Sequence, residues 1–135
     1  MLAFSVKSKY GLAAVLALAS HPHQGPMHAK VIATEHHLPQ QYLEQLMQDL
    51  KKAGIVRSIR GCQGGYTLAK SPDELTVFDI LNCLEGPCEF CEGTTGALGH
   101  FWRQKDQEIK ALFQVSIAEL VLADQKSKQL LAYSI

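Results

Sequence analysis

Four side chains in the second half of this 135-residue chain have the types and spacing of a metal or redox site. Cys83, Cys88 and Cys91 follow the pattern C-x4-C-x2-C, and His100 lies nine residues past the last cysteine. Thiolates are soft ligands that suit iron–sulfur clusters and zinc, and a two-residue gap lets both sulfurs of Cys88 and Cys91 address one metal site. Plant-type ferredoxins open with the same spacing, although the surrounding sequence is otherwise unlike theirs. Cys83 has a second reading: it shares a helix face with Ile80 and Leu84, where a cysteine serves as a packing thiol. His100 reads either as a ligand or as a helix-start histidine bonded to backbone. Cys62 stands apart in a glycine-rich turn, exposed and open to redox chemistry. His21, His23, His28, His36 and His37 fall in turns and on a short helix, where surface and capping roles are the ordinary ones.

A second constellation lies between Leu38 and Tyr66. Leu43, Leu46, Met47 and Leu50 recur at i, i+3, i+4 and i+7, the spacing of one buried helix face. Pro39 fits a helix start, and Lys51, Lys52 and Gly54 supply a basic last turn and a stop. Gln40, Gln41, Tyr42 and Glu44 are left facing outward near the helix start, with groups that reach base edges or phosphates. Arg57 and Arg60 flank the tip of a following hairpin, and the glycines beside Arg60 allow the backbone to come close to another surface. Glutamine pairs bidentately with adenine in the major groove, whereas arginine in the minor groove responds to width and potential. Lys7, Lys9 and Lys30 read as phosphate contacts, which position without specifying. Glu44 can accept from a cytosine amino group, repel phosphate, or pair with a lysine. Each of these side chains alone is also an ordinary solvated polar residue; the set, in this order, reads as a DNA surface.

The elements that must hold these groups follow from periodicity and punctuation. Residues 7–20 read as a first helix, broken by the His-Pro-rich stretch at 21–26, and 27–36 as a second with Ala29, Ile32 and Ala33 inward. The turn at 36–39 makes helices two and three a helix-turn-helix. Residues 55–60 and 66–69 read as strands around a turn at 61–65. Thr76 caps a helix over 76–84, a loop spans 86–99, and one long apolar helix runs over 101–124. The expected fold is mainly α with a small β-hairpin wing: a winged helix-turn-helix over 1–72, then a sensing loop and a long C-terminal dimerisation helix over 73–135. The last helix is apolar over so much surface that it must pack back on the N-terminal lobe or form a dimer seam.

The totals set bounds. The net charge is zero, yet residues 1–61 carry seven Lys/Arg against three acids, and residues 62–135 six against ten. A basic first half suits a polyanion and an acidic second half suits another task. The apolar run at 11–19 is shorter than the roughly 20 residues needed to span a bilayer. With Lys7 and Lys9 ahead of it and Ala17-Leu18-Ala19 at its end it has the look of a signal peptide, but removing it would delete the helix the next elements pack on. A cytoplasmic protein with reduced thiols and no membrane association is expected. No nucleophile–base pair, paired carboxylates or phosphate loop is present, so neither an enzyme nor a small-molecule substrate is expected.

The run YLEQLMQDLKKAGIVRSIRGCQGGYTLAKSP, with Ser8-Lys9-Tyr10 before it and ILNCLEGP after it, resembles the IscR/NsrR-type family of bacterial winged-helix regulators. The likeness covers about the first 90 residues well and the C-terminal helix weakly. It implies a homodimeric transcription regulator that binds a double-stranded operator. It also implies a sensing loop that in many members holds an iron–sulfur cluster, here of 2Fe–2S type on Cys83, Cys88, Cys91 and His100. The loop is shorter than the family's, and the place of a further cysteine falls near Gly96 or Ala97. Zinc, a thiol switch, no cofactor, or a protein-interaction module are the alternatives.

Overall fold

The computed structural model describes residues 4–21, 25–87 and 93–133. In chain order these form α1 (Val6–Ala19), α2 (Ala29–Glu35), α3 (Gln40–Lys52), β1 (Val56–Ile59), β2 (Gly65–Leu68), α4 (Val77–Glu85), α5 (Gly96–Leu112) and α6 (Ile117–Tyr133). The winged helix-turn-helix is therefore as the periodicity implies. Leu43, Leu46, Met47 and Leu50 are all fully buried beside Ile32, Val15, Ile80 and Leu75. Thr76 caps α4 through a capping box, its hydroxyl accepting from Asp79 N–H at 3.1 Å while the Asp79 carboxylate accepts from Thr76 N–H at 3.0 Å. Two strands pair antiparallel, Arg57 opposite Thr67 and Ser58 opposite Tyr66.

α1 is the central spar, packed on α3, α4, α6 and β2. Gly11 lies at the contact with α4: a Cβ there would overlap the end of the Leu84 side chain, which would have to turn aside to admit it. The N-terminus of α1 is capped from outside. Glu85, the last residue of α4, accepts from Ser5 N–H at 2.8 Å, Ser5 Oγ at 2.7 Å and the fully buried Ser8 Oγ at 2.6 Å. A carboxylate here satisfies an orphan donor and opposes the positive end of the helix dipole.

The hydrogen bonds from Ser8 and then Ser5 hold the Glu85 carboxyl below the usual carboxylate range. A depressed pKa stabilises the fold above the unfolded-state value and ceases to do so as pH falls through the folded one. Wild type is thus expected to exceed Glu85→Gln in stability near neutrality, the gap closing as pH falls below the ordinary carboxylate range and through the lowered folded-state value. Denaturant titrations at several pH values measure this, and a gap that stayed constant would refute the cap.

The expected single helix over 101–124 is two helices. Backbone bonds fold the chain between them onto the approach to α4: Val77 N–H to Val115 O at 2.8 Å, Phe78 N–H to Phe113 O at 2.9 Å and Ile117 N–H to Leu75 O at 2.8 Å. Ser116 then restarts the helix, its hydroxyl accepting from Glu119 N–H at 3.1 Å. Ser116-Ile117-Ala118-Glu119 is the S-x-x-E spacing of a helix start, a signal legible in the sequence beneath the apolar periodicity. The expected loop over 86–99 is also overrun at its end, where α5 begins at Gly96. Among the described residues α5 lies flat against none of the other elements, whereas α6 packs partly on α1 and buries Ile117.

Candidate nucleic-acid interface and cysteine loop

The outward face of α3 carries the expected polar residues. Gln40 Nε2 donates to Glu44 Oε1 at 3.3 Å, so Glu44 is paired with a glutamine and not with a lysine. Tyr42 meets Tyr10 of α1 edge to face, centroids 5.7 Å apart, which pins the start of α3 to α1 while leaving the ring partly exposed. Gln41 and Glu44 line a cleft of about 420 Å³ together with His28, Gln45, Gln48 and Tyr66. Gln45, Gln48 and Tyr66 are not singled out by the sequence, and His28 only as a surface or capping group. Gln41, Gln45 and Gln48 stand at i, i+4 and i+7, a polar stripe opposite the buried one, and that spacing was the available signal.

Arg57 lies on β1 and Arg60 just past its end, both exposed. Of the glycines near Arg60, Gly64 and Gly65 make their close approach to the chain itself, a Cβ on Gly64 overlapping the Ile59 carbonyl and one on Gly65 the Met27 backbone, whereas Gly61 faces open space. Lys9 and Lys30 are exposed. Lys7 is not a free phosphate contact, since its ammonium lies 3.0 Å from the Asp49 carboxylate on α3.

Cys83 is half-buried on α4, and its Sγ donates weakly to the Asp49 carbonyl of α3 at 3.6 Å. Burial first, then the charge of Asp49, pushes this thiol up from its ordinary range, with Lys7 opposing. His100 is exposed in the first turns of α5, next to the edge-to-face pair Phe101–Trp102. Cys88 and Cys91 lie outside the described residues. Among the described residues no three His, Cys, Asp or Glu side chains gather where they can hold a metal ion. Cys62 is a free, exposed thiol in the wing turn. No described helix is long and apolar enough to cross a membrane.

A helix-turn-helix whose second helix turns a polar face outward beside an arginine-bearing hairpin defines a winged-helix DNA-binding regulator. The family model for Rrf2, described as an iron-dependent transcriptional regulator, matches residues 4–123. The chain belongs to the Rrf2 family of transcriptional regulators, and is not an enzyme. It is 38% identical over 118 residues to the regulator CymR of Bacillus subtilis, covering 85% of this chain and 86% of that one. It is 33% identical over 129 residues to IscR of Aliivibrio salmonicida, covering 88% and 77%. Among solved structures, CymR, the global cysteine regulator of B. subtilis, superimposes with a TM-score of 0.79 at 37% identity, covering 91% of this chain and 98% of that one. IscR of T. potens does so with a TM-score of 0.79 at 35% identity, covering 93% and 90%.

Proposed function

We infer that the chain works as a homodimer on a double-stranded operator, in the cytoplasm, with α3 in a major groove and Arg57 and Arg60 in the flanking minor groove. The observation that carries this reading is the shared polar cleft between α3 and β2, which joins helix and wing into one surface. Gln40, Gln41, Tyr42 and Glu44 read bases or their backbone there, and Lys9 adds a phosphate contact. Residues 1–72 form the reading half and 73–135 the sensing and pairing half. Support for pairing comes from Leu98, Phe101 and Leu112 of α5, exposed at 58%, 45% and 72% on a helix that lies flat on nothing else described. A two-fold axis through that helix would set the reading helices about 34 Å apart, one turn of DNA.

Sensing belongs, on this reading, to the loop of Cys88 and Cys91. The likeness to IscR and the iron-dependent family description support an iron–sulfur cluster of 2Fe–2S type, a centre that responds to redox state, iron supply and nitric oxide. The described donors do not themselves form such a site: Cys83 is turned to Asp49 and His100 is exposed. Cys83 is accordingly assigned to packing. The likeness to a cysteine regulator supports the second reading, zinc or a thiol switch on the same pair. Either signal need shift DNA affinity by only about 1–3 kcal/mol.

Protein purified without oxygen decides between them. A cluster gives a brown, reducible chromophore with matching iron and sulfide; Cys88→Ala and Cys91→Ala are expected to lose both and Cys83→Ala to keep them. A colourless wild type removes the cluster, and iron lost from Cys83→Ala as well returns that thiol to the ligand set.

A further inference from the structure

Tyr66 lies where the wing meets both helices of the helix-turn-helix. Its backbone N–H donates to Met27 O at 2.8 Å, and Met27 N–H returns a bond to Tyr66 O at 3.0 Å, an isolated antiparallel bridge just before α2. Its phenol oxygen accepts from Gln48 Nε2 on α3 at 3.1 Å. The neighbouring Gly65 is the residue whose Cβ would overlap Met27, so the strand is pressed against the start of α2 backbone to backbone.

Open space flanks this joint on both sides. The cleft of about 420 Å³ lies toward α3, and a second hollow of about 230 Å³, lined by Leu18, Leu68, Lys70 and Pro72 among others, lies toward α1. Tyr66 lines both. A two-stranded hairpin has little stability of its own; Ile55, Val56 and Leu68 seat its base on the core, while hollows flank its second strand at Tyr66. Beyond that packing, three hydrogen bonds tie the strand at Tyr66 to α3 and to the approach to α2, and so help to set the angle of the wing to α3. The angle matters because helix and wing enter adjacent grooves, and the strand backbone between those grooves has to pass over the cleft. Recognition groups tolerate errors of only about 0.5 Å or 10–20°.

We propose that Tyr66 is a positioning residue for DNA reading: by joining Gln48 of α3 and Met27 before α2 it sets the spacing between reading helix and wing, and so the width of the channel for one strand of the duplex. This rests on the DNA-binding reading above and names a determinant of its geometry.

The test uses duplexes of about 30 base pairs with a randomised interior, from which the full-length wild type and each variant select binders. Tyr66→Phe keeps the ring and removes the bond; Gln48→Leu, at an exposed helix position, removes it from the other side. Each is expected to bind the wild-type-selected duplex about four- to ten-fold more weakly, since a dimer loses the link at both heads. The double variant is expected to be no worse than either single one by more than about two-fold. Tyr66→Phe should keep the base preferences under α3 and lose the narrow-groove preference under the wing, and Gln48→Leu, which also alters the polar stripe of α3, should lose the same wing preference; a loss of stability alone would not produce this change. Singles within about two-fold of wild type, or losses that multiply in the double variant, overturn the proposal. Should Tyr66→Phe fail to fold, Gln48→Leu and its selected sequences decide alone, the same shift of preference supporting the proposal and an unchanged profile rejecting it. A wild type that selects nothing overturns the DNA reading as well, so the two failures are distinguishable.

Discussion

Arg60→Ala is expected to hold a wild-type-selected duplex about ten- to a hundred-fold more weakly, with the fold unchanged. Arg60 is exposed just beyond β1, contributes nothing to the core, and is followed by the turn at 61–64. Truncation therefore removes a cation without opening a cavity. In a narrow minor groove the guanidinium responds to the concentrated negative potential, and a two-fold dimer presents it twice. Arg60→Lys separates charge from shape: it should restore much of the salt dependence but not the affinity, because an ammonium is a compact, strongly hydrated point charge. Fluorescence anisotropy across a salt series measures both quantities. Equal affinity of wild type and Arg60→Ala at low salt would remove the wing from the interface and favour a surface for a protein partner.

The other large effect is on stability. Leu46 is fully buried on α3, in one core cluster with Ile32 of α2 and Ile80 of α4. Leu46→Ala is expected to cost about 2–5 kcal/mol, the transfer term plus a cavity this close-packed centre cannot fully close. Against a typical total of about 5–15 kcal/mol that is a large share. Urea unfolding monitored by circular dichroism checks it, and a loss below about 1 kcal/mol would mean that the reading helix is not held from beneath as described. Duplex affinity per folded molecule should change far less, since Leu46 faces away from the polar stripe.

Helices α1 to α4 and the hairpin were legible in the chain because each carries its own punctuation. Pro39 and Gly54 bracket α3, Thr76 opens α4, and the Gly61–Gly65 turn divides two short strands. The end of the chain was harder to read. Apolar residues continue through Phe113 and Val115, so periodicity alone joins α5 to α6; the break is made by bonds to Leu75, Val77 and Phe78, some 40 positions away in sequence. The Ser116 cap was a local clue masked by the stronger apolar signal.

The candidate site divides in the same way. Which side chains face outward on α3 follows from helical geometry, and the basic balance of the first half follows from composition, so the sequence alone determined an outward polar face on α3 in a basic half and the thiol motif in an acidic one. Only the tertiary structure decided their internal commitments. Lys7 is held by Asp49, Cys83 is turned to the Asp49 carbonyl, Glu85 caps a helix that begins 79 residues earlier, and Tyr66 braces the wing against Gln48. Each is a contact between groups far apart in the chain, and spacing along a sequence carries no information about distances across a fold.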